Sequence, residues 1–333
     1  MNKVKQFIKN ISPLNNRTEM PAILYVIKVI IIFWFVKLGS ELIGEGVVLG
    51  VLFACGKNPL QGEMFDNNTM MLIMYFGYGL LTGLMILYWK LFQKKTLARL
   101  GFTKKAGTYV IGAIAGIVLI TVSVASVMLT GAMTFNGVFS SFDIRFIVLM
   151  LGGFICQGAI EEVLCRGIVL QLLKDKVPVP VAVGVSTALF TIPHLSNMRE
   201  AGAGIIIFAI TNLILISLIF SFLTLRFKSI WASCGLHSVW NFILFNILGL
   251  NLSGNDQMTA AVFDMRSVGS NILNGGEYGI EASAVTAVVL AVAITGCFII
   301  SRIGKGSAAK AINCSAFKTN RHLLNPKKEL SDG

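Results

Sequence analysis

The chain is 333 residues long, 55% hydrophobic and only 13% charged, with a formal net charge of +12 and a mean hydropathy of +0.77. Soluble domains carry about 25% charged residues, so a water-soluble globular class is excluded and a chain dissolved in lipid is indicated. The basic residues lie at the two ends and in alternate loops, a pattern of membrane orientation rather than of nucleic-acid binding.

Eight apolar stretches approach or reach the roughly 20 residues that cross a bilayer core: 22–44, 69–92, 108–131, 144–173, 180–200, 204–225, 230–251 and 281–301. They predict an all-α polytopic membrane protein of about eight transmembrane helices, spanning 22–301 as one domain. Before them, residues 1–21 carry Lys3, Lys5, Lys9 and Arg17 and read as a basic cytoplasmic segment. The first stretch lacks a small-residue cleavage pattern and retains Lys28 and Lys37, so it reads as an anchor rather than a removed signal. Glu41 and Glu45, among glycines, follow its apolar start and suggest an interfacial helix at its end.

The loop after the second stretch holds Lys94, Lys95, Arg99, Lys104 and Lys105; the turns after the fourth and sixth hold Lys174 and Lys176, and Arg226 and Lys228. Between 251 and 281, Asp256, Asp264, Glu277 and Glu281 face one Arg266. With an even number of spans the basic loops and both termini fall on one side, which the positive-inside rule makes cytoplasmic. The expectation is a multi-pass cell-membrane protein with a basic cytoplasmic tail over 302–333. No internal repeat of the transporter kind is evident. The six cysteines form no C-x-x-C pair and read as small hydrophobes in packed helices.

The fourth stretch contains "GAIEEVLCRGIVLQLL", Gly158 to Leu173, where Glu161, Glu162 and Arg166 interrupt an apolar run. A charge at mid-bilayer costs about 2.5–3.5 kcal/mol on insertion scales, so it persists when paired, hydrated or used. Glu162 and Arg166 are four apart and share a helix face, a good ion-pair geometry. Glu161 is rotated about 100° from Glu162 and is left uncompensated. That spare acid is the catalytic candidate. Only three histidines exist; His322 is in the tail, His194 closes "FTIPH" in the fifth stretch, and His237 opens "HSVWN" in the seventh, with Asn241 on the same face. At 1.5 Å per residue, Glu161 and His194 lie roughly 20 Å from the basic turns and His237 and Asn241 roughly 10–17 Å. The short turn from Lys174 to Val179 makes stretches four and five an antiparallel hairpin, which matches the depths of Glu161 and His194. Three helices can thus converge on one buried polar site, with an opening expected toward the cytoplasm. Pro193 either kinks the helix before His194 or ends it. Phe190 reads as packing.

Such a set supports two chemistries. A carboxylate and an imidazole can deprotonate water for attack on a carbonyl, while a second histidine and an amide donate to the oxyanion. Alternatively Glu161, His194 and His237 could ligate Zn²⁺ and leave a position for water. H-E-x-x-H and G-x-S-x-G are absent, so the common metalloprotease and serine-hydrolase signatures do not apply.

Three motifs, in order and inside membrane spans, resemble the CPBP intramembrane proteases, the group that includes type II CAAX prenyl endopeptidases and bacteriocin-processing or self-immunity proteins. "EEVLCR" matches E-E-x-x-x-R, "FTIPH" matches F-x-x-x-H, and "HSVWN" matches H-x-x-x-N/D. The resemblance covers about Glu161 to Asn241. It implies an eight-helix fold, water activation by Glu161 and His194, an oxyanion pocket from His237 and Asn241, and a site shaped by Glu162 and Arg166. Members are commonly labelled metalloproteases, although a glutamate mechanism without metal is also proposed for them. The expected partners are the bilayer and a membrane-associated peptide or protein substrate. Two other classes fit parts of the pattern: a non-proteolytic immunity or scaffold protein, and a proton-coupled transporter.

Overall fold

A computed structural model describes residues 3–198, 201–254 and 261–300; the basic tail with His322 and Cys314, and Asp256, lie outside these. The chain divides into two compact units, 1–290 and 291–333, and the site lies wholly within the first.

The described residues form an all-α, polytopic membrane protein. After the short helix α1 (Lys3–Ile11) come α2 (Ala22–Ala54), α3 (Asn67–Tyr88), the short α4 (Leu97–Leu100), α5 (Thr108–Leu129), α6 (Ile144–Glu162), α7 (Leu170–Leu173), α8 (Val179–Thr191), α9 (Ala203–Phe227) and α10 (Trp231–Phe242). Several continue with a different pitch: π-helical turns over Trp89–Gln93, Val163–Val169 and Ile243–Ile247, and a 3₁₀ segment over Ile192–Met198. Six of the resulting helices are long and apolar enough to cross a membrane, and a shorter apolar helix occupies Ala284–Ile300. Helices therefore stand at all eight expected positions, but the seventh and eighth are shorter than a full span. No separate interfacial helix ends the first stretch: α2 runs unbroken through Glu41 and Glu45 to Ala54.

Lipid is the solvent that explains the surface. Ile23, Leu42, Ile111, Val118, Val148 and Ile207 stand exposed on the outside of the helices, a cost that water would impose and hydrocarbon does not. Helix starts follow local chemistry. Asp66 caps α3 by accepting from the Thr69 amide and hydroxyl, bonds that hold its carboxyl below the usual range. Asp143 caps α6 through the amides of Arg145 and Phe146.

Contacts between connections define two ends of the unit. At one end Asp175, after α7, pairs with Lys95 and Arg99, after α3. There too the Gly101 carbonyl accepts from the Ile230 amide and the Ser229 hydroxyl, and Tyr88 donates to the Pro13 carbonyl. The three basic connections and the N-terminal segment thus meet. At the other end, β1 (Met133–Val138) and β2 (Phe263–Ser267) pair antiparallel, Met133 opposite Ser267, and Asn197 donates to the Ser253 carbonyl. The connections after α5, after Met198 and after α10 are therefore together. This alternation is the one expected of consecutive spans in an up-and-down bundle. The two-stranded sheet was not legible in the sequence.

Helix α10 packs against α5, α6 and α9, and small residues let it approach. A Cβ on Gly235 would overlap the Tyr109 carbonyl of α5, and one on Gly158 of α6 would meet the Ser238 amide nitrogen at 2.7 Å. Small residues at such crossings are how membrane helices gain packing energy. Gly235→Val should therefore cost about 1–3 kcal/mol by forcing backbones apart, read as a lower Tm in detergent. Because His237 is two residues away, turnover should fall with it; an unchanged Tm would contradict the close approach.

Candidate functional site

Each functional side chain is placed by a different local feature. Glu161 is in the last turn of α6, just before the backbone widens into the π-helical turn that carries Arg166. Such widened turns are frequent at functional sites. His194 sits in the 3₁₀ segment after α8. Pro193 comes just after the end of α8 at Thr191, as the second reading expected, and the chain continues as the 3₁₀ segment. His237 and Asn241 lie one turn apart on α10.

The structure brings Glu161 and His194 face to face, with His194 Nε2 3.9 Å from Glu161 Oε2. His194 Nδ1 lies 2.9 Å from the Phe190 carbonyl oxygen. A carbonyl can only accept, so Nδ1 carries the hydrogen and a neutral ring presents its Nε2 lone pair to Glu161. Two acceptors facing each other at that separation, too far apart for a direct hydrogen bond, suit a water that donates to both. The other carboxylate oxygen, Oε1, accepts from Gln157 Nε2 at 3.1 Å, and Gln157 Oε1 accepts from Asn241 Nδ2 at 2.9 Å. Gln157 therefore ties Asn241 to Glu161. It is four residues before Glu161 on the same helix face, a spacing visible in the sequence though not its role.

Behind this pair lies a buried charge network. Arg166 Nη1 donates to Glu162 Oε1 at 2.9 Å, and both side chains are fully buried. His237 Nδ1 donates to the same oxygen at 3.3 Å. Arg166 Nη2 reaches the Ser217 carbonyl and hydroxyl, at 3.1 and 2.6 Å, and Ser217 donates on to Thr187 at 2.9 Å. Phe190 and Phe220 hold their rings 4.6 and 5.0 Å from the guanidinium carbon, and Phe220 stacks on His237 at 4.9 Å and 16°. Phe190 is thus more than packing: its ring faces Arg166 and its carbonyl orients His194. Phe220, Ser217 and Thr187 carried no sequence signal, because a phenylalanine or a serine in an apolar helix is ordinary.

The four candidate residues Glu161, His194, His237 and Asn241 all line one cavity of about 240 Å³. A second cavity, about 210 Å³ and bordered by Lys37, Glu41, Leu164 and Leu189, reaches Glu161 and His194 from the side of α2. The site thus stands between two cavities. The first is walled by Asn197, Leu252, Ser253 and Glu281 as well, residues from the end that carries the β1–β2 pair. An opening toward the basic turns was expected; these four wall residues come from the opposite end.

Donor geometry also bears on zinc. Among the described residues no three His, Cys, Asp or Glu side chains converge as a metal-ligand set. His237 Nδ1 is engaged by Glu162 and His194 Nδ1 by the Phe190 carbonyl, which leaves Nε2 as the remaining ring nitrogen of each. Glu161, His194 and His237 are not gathered as one ligand set in this geometry, and no step is assigned to a metal.

A polytopic membrane protein with a carboxylate–imidazole pair on an internal cavity is the class that fold and site define. Residues 143–243 match the family model described as Rce1-like, type II CAAX prenyl endopeptidase Rce1-like. That stretch begins at the α6 cap and closes just past α10, so it contains Glu161, His194, His237 and Asn241. Neither a curated protein nor a solved structure matches the chain.

Proposed function

We propose that the protein is an intramembrane endopeptidase that hydrolyses a peptide bond in a membrane-associated peptide or protein. The observation that carries this reading is the Glu161–His194 pair, facing across 3.9 Å on the wall of an internal cavity. Water held between them loses a proton to Glu161 as its oxygen attacks the substrate carbonyl carbon. The carbon–nitrogen bond then breaks as that proton passes to the leaving nitrogen, giving a carboxylic acid and an amine. Asn241 uses one amide hydrogen on Gln157 and has the second free for the oxyanion. His237, with Nδ1 on Glu162, offers Nε2–H when doubly protonated, with Glu162 as counter-charge. Glu162 and Arg166 touch no reacting atom; they position His237 and Phe190. The protease domain takes in 22–301, flanked by the basic segments 1–21 and 302–333.

Incubating purified protein in liposomes with a library of membrane-anchored peptides, followed by mass spectrometry, tests the activity. New peptide ends that require the protein are expected. A library left intact under conditions where the protein stays folded would defeat the reading.

The basic end is proposed to be cytoplasmic, which places the Glu281 end of the cavity on the opposite side. In a background with the native cysteines changed to Ser, Ser270→Cys should react with an impermeant maleimide added to intact cells. Lys176→Cys should react only after permeabilisation; the reverse pattern would invert the topology.

A further inference from the structure

The first cavity has an acidic pole that the catalytic reading does not use. Its walls carry two carboxylates, Glu161 and Glu281, and no Lys or Arg. Glu281 comes from the segment between α10 and the Ala284–Ile300 helix, outside the family-matched residues. It is held rigidly. Trp240 Nε1 donates to Oε1 at 3.1 Å, and the Ser253 amide and hydroxyl donate to Oε2, each at 2.8 Å. All three donors are neutral. Among the described residues Glu281 has no ion-pair partner, whereas Glu162 has Arg166 and Asp264 has Arg266. Trp240 adjoins Asn241, so the carboxylate is anchored one residue from the proposed oxyanion donor.

Two buried neighbours in the same wall are short of donors. Asn212 spends its Nδ2 on the Glu281 and Ser283 carbonyls, and its Oδ1 has no partner; the Thr286 hydroxyl oxygen has none either. Both side chains are 3% exposed or less. A buried acceptor without a donor is a standing cost that an incoming N–H group can relieve. A wall of fixed carboxylate and acceptor oxygens, with no cation of its own, is complementary to a group rich in N–H donors and carrying positive charge.

We infer that Glu281, with Asn212 and Thr286 beside it, forms a subsite for a cationic side chain, Lys or Arg, close to the cleaved bond of the substrate. This deepens the endopeptidase reading and rests on it, since it places the cation next to Asn241. The subsite selects by charge: an ammonium or guanidinium gains a hydrogen bond to a fixed carboxylate, a neutral chain of equal length leaves that carboxylate uncompensated, and an acidic one meets repulsion. Arg satisfies more acceptors than Lys, having five N–H donors to three.

The test uses the full chain in liposomes and lipid-anchored peptides that differ at one position near the cut: Arg, Lys, citrulline, norleucine or Glu. Binding is measured on the Glu161→Gln protein, so that it does not depend on hydrolysis. Arg and Lys peptides should bind about tenfold more tightly than citrulline and norleucine, the order expected of a charge-assisted hydrogen bond, with Glu weakest. Glu281→Gln should bring the Arg-to-citrulline ratio close to one, and Glu281→Lys should favour the Glu peptide. The peptide series on protein with Glu281 intact stands even if a Glu281 variant fails to fold. Equal affinities across the series would overturn the subsite, as would an Arg preference that survives in folded Glu281→Gln. Preferential binding of Arg without any hydrolysis by the unsubstituted protein would instead defeat the endopeptidase reading and leave the cation site standing.

Discussion

Glu161→Gln should lower peptide hydrolysis by about 10²–10⁴-fold, the range that positioned general-base catalysis contributes, while the thermal transition stays where it is. Glutamine keeps the shape and can still accept from Gln157, which now donates to Glu161 Oε1, but it cannot take a proton from water. His194→Ala should cause a loss of similar size, because the ring whose Nδ1 is committed to Phe190 is the other acceptor for that water. Groups that act as a unit are non-additive, so the double variant should be little worse than either single one. Product formation by mass spectrometry and Tm in the same detergent decide the matter. A Glu161→Gln protein that keeps a third of the original rate would remove Glu161 from the chemistry.

Arg166→Met should be the most destabilising single change in the unit. It strands Glu162, fully buried with its Oε1 bonded to Arg166 and His237, and an uncompensated buried charge costs about 3–5 kcal/mol. The cation between the Phe190 and Phe220 rings goes as well. Replacing both partners, Glu162→Met with Arg166→Met, should recover most of that stability, because a well-packed apolar pair is often as stable as the ion pair. Turnover should not recover, since His237 has then lost the carboxylate that orients Nδ1. Thermal denaturation separates the two effects from activity. If the double variant were as active as the original, the network would be scaffolding with no part in positioning His237.

These outcomes rest on facts of unequal visibility in the linear chain. The bundle was legible because a span must satisfy its backbone internally and present apolar side chains to lipid, which leaves a long, local signal. The pairing of Glu162 with Arg166 was legible because i and i+4 share a helix face, and so was the exclusion of Glu161 from that pair. Antiparallel hairpin geometry also matched Glu161 and His194 in depth. The lengths of the last two helices, the β1–β2 pair and the wall that Glu281 and Ser253 add to the cavity were not legible, since each depends on how distant connections meet.

The sequence by itself determined that this is a polytopic helical membrane protein, that one acid in its fourth span lacks a local cation to pair with, and which two imidazoles and one carboxamide could meet it. Composition, period and spacing are local, and these properties follow from them. Only the tertiary structure decided that His237 turns to Glu162 rather than to Glu161, that Gln157 joins Asn241 to Glu161, and that Glu281 from a distant segment closes the wall beside Trp240. Side-chain direction across a helix interface is set by packing, by the close approach that Gly158 and Gly235 permit, and by which buried donors remain to be satisfied. None of these is a property of any single stretch of chain.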